Sequence, residues 1–395
     1  MSLLPEAAQE PKQATSAAGL WQQVLDGFTS LSGSPRELWL AYIIHIFSTF
    51  TYHALGGVLV VYLSHEFAMS DEEAGSVYGM WGLIITFWNI ALSAGVDLIG
   101  VRRSALYGFG ITVCSRLLIV TADVSAEVLF ALYVIGPLGE GLAEQIFNVG
   151  IVRWTNTENR TFAFSLRYAV SNLGGALAGF VIDAIKTSSA VVNGETYTGY
   201  RLCLMLSWLT AVTCFTMSLG LRQGVHIADE KPAQAEGEPK KKPEILRDWS
   251  TDKNSEQTKN PLMIYRTVAS DTSFWRYLLL IALLVPIKLQ WHFNNALLPK
   301  WLIRLHGRDA PFGSISSINW IICSFLPPPI AAATQNWSHL KTIVIGTTVM
   351  GLAPFMLAVD ASMGMVILWE VIYTIGECIW SPRILAWASE LAPEG

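Results

Sequence analysis

The sequence predicts an all-α membrane protein built as two helical bundles. Three observations lead there. The 395-residue chain is 52% hydrophobic and 14% charged, where soluble domains carry about a quarter charged residues, and its mean hydropathy is +0.40. Apolar runs of the roughly 20 residues that a bilayer demands recur along the whole chain. One long polar stretch divides those runs into six before it and about four after it. The 15 tryptophans fit the same picture, because amphipathic rings settle at the two water–lipid boundaries.

Residues 1–34 are rich in Ala, Gln and Ser and read as a disordered cytoplasmic tail. The opening "MSLLPEAAQEPKQATSAAGL" has no apolar core of the signal-peptide kind, so the first span is expected to serve as its own insertion signal. Residues 35–221 hold the N-terminal six-helix bundle, with runs near 37–62, 75–98, 104–121, 128–154, 162–185 and 202–221. Residues 222–272, including "KPAQAEGEPKKKPEILRDW", have much Pro, Glu and Lys and little to bury, and read as a cytoplasmic linker. Residues 273–395 form the C-terminal bundle, with runs near 274–302, 315–333, 342–359 and 363–388. Gly and Pro inside the runs, as in "GPLGEG" and "FLPPPI", suit spans whose neighbours re-satisfy the freed backbone groups.

Basic residues set the orientation. The loop at 64–73 and the "ADVSAE" loop carry acids and no Lys or Arg, whereas the loops with Arg102 and Arg103, with Arg153 and Arg160, and the linker are basic. This places the N-terminus and the linker in the cytoplasm, against the vote of Lys300, Arg304 and Arg308. The sequons at Asn159 and Asn336 are then cytoplasmic and expected to lack glycan.

Several function classes are excluded at this stage. A net charge of −5 argues against nucleic acid. Five cysteines lie in apolar runs without disulfide or zinc spacing and read as small core residues. No P-loop, nucleophile–base set or metal-ligand spacing stands out, so neither an enzyme nor an ATP-driven pump is expected, and no cofactor or metal. The partners expected are the bilayer, a small-molecule substrate and protons; the sequence leaves the oligomeric state open.

The two halves share elements at a spacing of about 240 positions: "SAGVDLIGVRR" with "AATQNWSHLKT", and "GPLGEG" with "YTIGEC". Asp97, Gly100, Arg102 and Arg103 in the first of these resemble the D-(R/K)-x-G-R-(R/K) core found after the second helix of major facilitator superfamily transporters, although Ser93 stands where that family has its leading glycine and Leu98 follows the acid. The resemblance implies a cytoplasmic gate in which Asp97 pairs with an arginine at the inner end of helix four, for which Arg153 is the candidate. A plain basic loop that only sets topology is the alternative.

Within that superfamily the chain distantly resembles the proton-coupled oligopeptide transporter (POT) family. "FTYHALGGVLVVYL" is similar to that family's first helix, "RYAVSNLGGALAGF" to its fifth with Asn172 on the family asparagine, and "GECIWSPRILAWASELAP" to its tenth. The family carries E-x-x-E-R in its first helix, a motif tied to proton coupling. Here the three positions are His45, Ser48 and Thr49. The family pattern has twelve spans, six in each half, so a chain ending at "ELAPEG" is expected to be truncated before the last two.

An ionisable group inside a span costs about 2.5–3.5 kcal/mol on insertion scales and is a candidate functional group. His45, Arg116, Glu140, Glu144, Lys288, His292, Glu370, Glu377 and Arg383 qualify. Glu140 and Glu144 are four apart on one helix face, which makes them either a carboxylate pair that shares a proton or static partners of Arg116 or Lys288. The resemblance implies that Glu377 faces the cavity and receives a cationic substrate group; pairing with Arg383 or Lys288 is its structural alternative. Lys288, in the polar stretch with Gln290, His292, Asn294 and Asn295, is a candidate for an anionic substrate group. His45 is a relay or a packing residue. Tyr52, Asn172 and Trp380 complete the substrate-binding candidates, with Trp81 and Trp88 as further cavity liners.

The sequence therefore predicts a secondary transporter working by alternating access, for a small polar organic solute such as a peptide or amino-acid derivative, coupled to protons. The rival is a non-transporting receptor or scaffold on the same fold that acts through its cytoplasmic linker.

Overall fold

A computed structural model describes residues 17–192, 194–227, 245–246, 292–334 and 337–391, with scattered positions between 266 and 289. Eight of its helices are long and apolar enough to span a membrane, and Phe312–Phe325 is a shorter apolar helix. The expected run at 274–302 lies largely outside the described residues.

Polar residues at the ends of the apolar runs set the helix limits. Helix α1 is Ala17–Leu31 and α2 is Arg36–Phe67. Helix α3, Asp71–Ile99, starts at Ser70, whose side chain accepts from Glu73 N–H while the Glu73 carboxylate accepts from Ser70 N–H at 2.8 Å. Gly100, at φ 86°, ends α3 and begins α4, Val101–Thr121, in a one-residue turn that only glycine adopts without strain. Helix α5, Ser125–Phe130, runs through a π-helical turn at Ala131–Ile135 into α6, Gly136–Trp154. The turn stands just before Pro137, which has no N–H to donate, and Ser115 Oγ donates to the Ala131 carbonyl at 3.0 Å. Asn156 caps α7, Thr157–Ile185. A hairpin of β1 (Ser189–Val192) and β2 (Glu195–Thr198) leads to α8, Gly199–Ser218.

After the linker come α9, Leu298–His306; α10, Phe312–Phe325; α11, Pro327–Ala333; α12, His339–Leu352; α13, Phe355–Val359; and α14, Met363–Leu391. The single run expected at 315–333 is thus two helices, because "PPP" at 327–329 supplies helix-start residues and no donors for a continuing ladder.

Two expectations about the polar segments are corrected. The expected N-terminal tail is helical over Ala17–Leu31: Leu31 is fully buried, and Asn159 Nδ2 on α7 donates to Ser30 O at 3.1 Å. The start of the linker is anchored, with β3 (His226–Ile227) paired to β4 (Ile245–Leu246) and Trp154 Nε1 donating to Val225 O at 3.1 Å. Arg222 grips the buried Glu37 through contacts of 2.5 and 2.8 Å, and this hydrogen-bonded pairing raises the guanidinium above its ordinary value.

Each half is held by the same device. A Cβ on Gly108 of α4 would stand 2.8 Å from Ala143 N and 3.0 Å from Gly139 O on α6. A Cβ on Gly346 of α12 would stand 2.8 Å from Trp380 N and 2.9 Å from Gly376 O on α14. Backbone touches backbone at both crossings, as small residues permit where apolar burial gives no preference between helix and lipid. The paired glycines stand about 240 positions apart, the repeat spacing of the sequence.

Candidate functional site

Within the N-terminal bundle, α4, α6 and α7 bring together two acids and two bases. Arg116 donates to Glu140, with exposures of 1% and 12%. Arg167 donates to Glu144, and this pair is more open. Each acid of the i,i+4 pair thus has its own arginine, and no shared proton is needed to hold them together. Unused capacity remains: Arg116 Nε and Nη1, Glu140 Oε2 and Arg167 Nε have no hydrogen-bond partner. Tyr52 on α2 stacks on Trp81 at 5.2 Å between centroids and lies within electrostatic reach of Arg116, Glu140 and Glu144.

The C-terminal bundle arranges its acids differently. Glu370 and Glu377 stand two helical turns apart on α14 and are both buried. Asn294 Nδ2 donates to Glu370 at 2.9 Å, and Asn319 Nδ2 on α10 donates to Glu377 at 2.8 Å and to Thr374 Oγ1 at 3.1 Å. Among the described residues no base forms an ion pair with either acid. Pro382, inside α14, leaves the Cys378 carbonyl without its helical donor one turn below this site.

Between the bundles lies a small pocket, partly open to solvent, with His53, Gly175, Asn294, Asn295, Pro299 and Trp320 among its walls. Trp320 packs on His53 at 4.3 Å between centroids, and His292 on Tyr78 at 5.9 Å. On the side where α2 ends and α3 begins the bundles are locked together. Lys300 and Arg304 of α9 hold Asp71 at 2.8 and 2.5 Å, and Asp183 of α7 accepts the Gly313 and Ser314 N–H groups at the start of α10 at 3.1 and 2.5 Å. Lys186 bridges Asp183 and the Ala310 carbonyl. Among the described residues all ion pairs between the bundles lie on this side.

Two halves of like construction, meeting at a polar seam and locked at one end, are the parts of a rocking transporter. A family model of the Major Facilitator Superfamily matches residues 38–395. The chain belongs to that superfamily. Among curated proteins none matches it in sequence. Among solved structures it is similar to a POT family transporter in complex with 5-aminolevulinic acid, with TM-score 0.67 and 18% identity over 92% of this chain and 88% of that one. It is likewise similar to the POT family transporter PepTSo, with TM-score 0.63 and 15% identity over 91% and 84%. The partially occluded inward-open xylose transporter XylE from E. coli gives TM-score 0.59 and 14% identity over 89% and 87%. The superfamily fold, a multi-pass membrane location and a transporter rather than an enzyme are thereby shown.

The residues singled out from sequence fall in different places in this transporter. Glu377 is buried within electrostatic reach of Tyr168 on α7, Tyr52 stacks on Trp81 within the N-terminal bundle, and Asn172 is buried on α7 with Nδ2 unpartnered. Trp380 does not face the seam: its indole nitrogen donates to Met350 Sδ at 3.1 Å and its backbone forms the Gly346 crossing with α12, which makes it a packing residue of the second half. His45 is buried against Phe147, 4.0 Å between centroids, with both ring nitrogens unpartnered. In the gate motif, Gly100 makes the α3–α4 turn, Arg102 is half-buried, Arg103 is exposed, and Arg153 sits in the last turn of α6. The Asp97 side chain and Lys288 lie outside the described residues.

Sequence reasoning missed Arg167, Asp183, Asn319 and Trp320. Arg167 stood inside the quoted "RYAVSNLGG" segment, where the match to a family asparagine drew the attention, although an arginine within a span is itself a signal. Asn319 carries no charge and gave none.

Proposed function

We propose that this superfamily member is a proton-coupled transporter of a small polar solute with both an amino and a carboxylate group, of the peptide or amino-acid type. The observation that carries the reading is Glu377: a buried acid beside the seam, bonded only to neutral groups among the described residues and lying near Tyr168 of the opposite bundle. An anion there, away from water, is suited to a cationic substrate group by direct charge pairing. Across the seam the unpartnered Arg167 Nε offers a donor for an anionic end, and Lys288 is the second candidate. A structural relative holds 5-aminolevulinic acid, a solute with both groups, which supports the same class here.

In this reading the bundles rock about the seam. The positive-inside bias puts the locked side, with Asp71 and Asp183, at the exterior, which supports reading this arrangement as inward-facing with N-terminus and linker in the cytoplasm. Outward opening breaks the Asp71 and Asp183 contacts.

The test is uptake of dipeptides and amino-acid derivatives into proteoliposomes, with and without an imposed pH gradient. Glu377→Gln is expected to lower uptake of amine-bearing solutes about tenfold, the equivalent of about 1.4 kcal/mol of lost charge pairing. Unchanged uptake would remove Glu377 from the site. Ligand binding with no flux would favour the receptor reading instead.

A further inference from the structure

We propose that Glu370, with Asn294 as its switching partner, is the site in the C-terminal bundle where the coupling proton is bound and released. The proposal rests on the transport reading and locates the proton in a different bundle from the Glu140–Glu144 pair.

The geometry carries it. Glu370 is fully buried; one carboxyl oxygen accepts from Asn294 Nδ2 at 2.9 Å, and the other, Oε2, has no partner. Asn294 is itself buried, and its Oδ1 has no partner either. An ionised carboxylate uses the amide donor, whereas the neutral acid, carrying one O–H, needs an acceptor, and the amide oxygen is an unused one. Rotation of the amide therefore serves both states of Glu370 without any third group. A buried charge is costly, and the chain nevertheless keeps an acid in the middle of an apolar helix, with no base paired to it among the described residues.

Among the described residues the surroundings supply Glu370 with no ion-pair partner. Among the described residues the titratable groups near Glu370 are Glu377 and Tyr373 on its own helix, His292 on the segment that carries Asn294, and, next to Tyr373, Cys323 on α10. Helix α12 carries its titratable groups, His339 and Lys341, at its opposite end, and α11 and α13 carry none. Lys300, Arg304 and His306 of α9 are occupied by Asp71 and the Ala361 carbonyl. Among the described residues the groups that act on Glu370 are thus a second acid and an amide.

Access and coupling come from the same asparagine. Asn294 lines the inter-bundle cavity, so a proton reaching that cavity has one amide to pass. It also sits a few residues before Lys300 and Arg304, which hold the lock on Asp71. Glu377, the proposed seat of the substrate amine, lies two turns further along α14 and within electrostatic reach of Glu370, and Asn319 of α10 bonds it and Thr374, whose hydroxyl donates to the Glu370 backbone carbonyl. The charge state of one acid is then felt at the lock and at the substrate site.

Infrared difference spectroscopy on the purified full chain between acid and alkaline pH tests this without a known substrate. The probe is the proton alone. We expect one protonated-carboxyl band to be lost in Glu370→Gln and kept in Glu377→Gln, and the same band to shift in Asn294→Leu, which removes its hydrogen-bond partner and leaves the acid. A band unchanged in both Glu370→Gln and Asn294→Leu would overturn the site. Should Glu370→Gln fail to fold, the Asn294→Leu shift decides by itself. Flux of alanyl-alanine separates the two readings: gradient-driven uptake that persists undiminished in Glu370→Gln rejects the proton site while the transport reading stands, and the infrared result judges Glu370 even if this dipeptide is not carried.

Discussion

The two bundles solve the same packing problem in the same way and the electrostatic problem in opposite ways. Both cross their central helices on a pair of glycines, Gly108 with Gly139 and Gly346 with Gly376. In the N-terminal bundle the acids Glu37, Glu140 and Glu144 each have an arginine: Arg222, Arg116 and Arg167. In the C-terminal bundle Glu370 and Glu377 have asparagines. A paired charge is satisfied in one conformation and is costly to separate, so it stiffens the half that holds it. An acid bonded to an amide keeps the option of changing protonation state or of taking a ligand's charge. The difference teaches that duplication fixed the scaffold while the charges diverged, one half toward structure and the other toward exchange.

The sharpest break of that comparison is Arg116→Leu. It strands Glu140 in a buried site and should cost about 3–5 kcal/mol, read as a large fall in melting temperature in detergent. Replacing both Arg116 and Glu140 by leucine should recover much of it. By contrast Glu370→Gln and Glu377→Gln should melt within about 1 kcal/mol of the parent, because the asparagine contact survives in the amide. Equal losses in the two halves would erase the distinction drawn here.

The shared scaffold is tested by Gly108→Val and Gly346→Val. A Cβ at either position meets backbone within 3 Å, so each should destabilise by about 1–3 kcal/mol and by similar amounts. A tolerated substitution at one crossing alone would show that the glycine pairs are not equivalent. The smallest effect is expected from Asp71→Asn. Its lock with Lys300 and Arg304 is half exposed and worth about 1 kcal/mol or less, diminishing with salt. The change should instead raise cysteine-labelling accessibility on the locked side, since so small a difference still shifts a balance between two conformations.

Membrane class, the approximate limits of the six N-terminal spans, and the two-fold repeat were written in the sequence. Hydrocarbon imposes length and apolarity on each span separately, so these are local properties that each run displays without its neighbours. Caps such as Ser70 with Glu73, and the Gly100 turn, are local for the same reason. Ionisable residues in spans also announced themselves, Glu140, Glu370 and Glu377 among them. Which of them is paired was not legible. Arg116 reaches Glu140 from another helix, Arg167 reaches Glu144 from a third, and Trp380 turns to Met350 rather than to the seam. Those choices depend on helix rotation and crossing, set jointly by glycine contacts and side-chain volumes far apart in the chain. The run at 315–333 and the helix at Ala17–Leu31 were misread on similar grounds, since a proline-initiated second helix and a docked amphipathic turn are stabilised by what they pack against. Spans follow from each segment's own chemistry; partners follow from geometry that no segment contains.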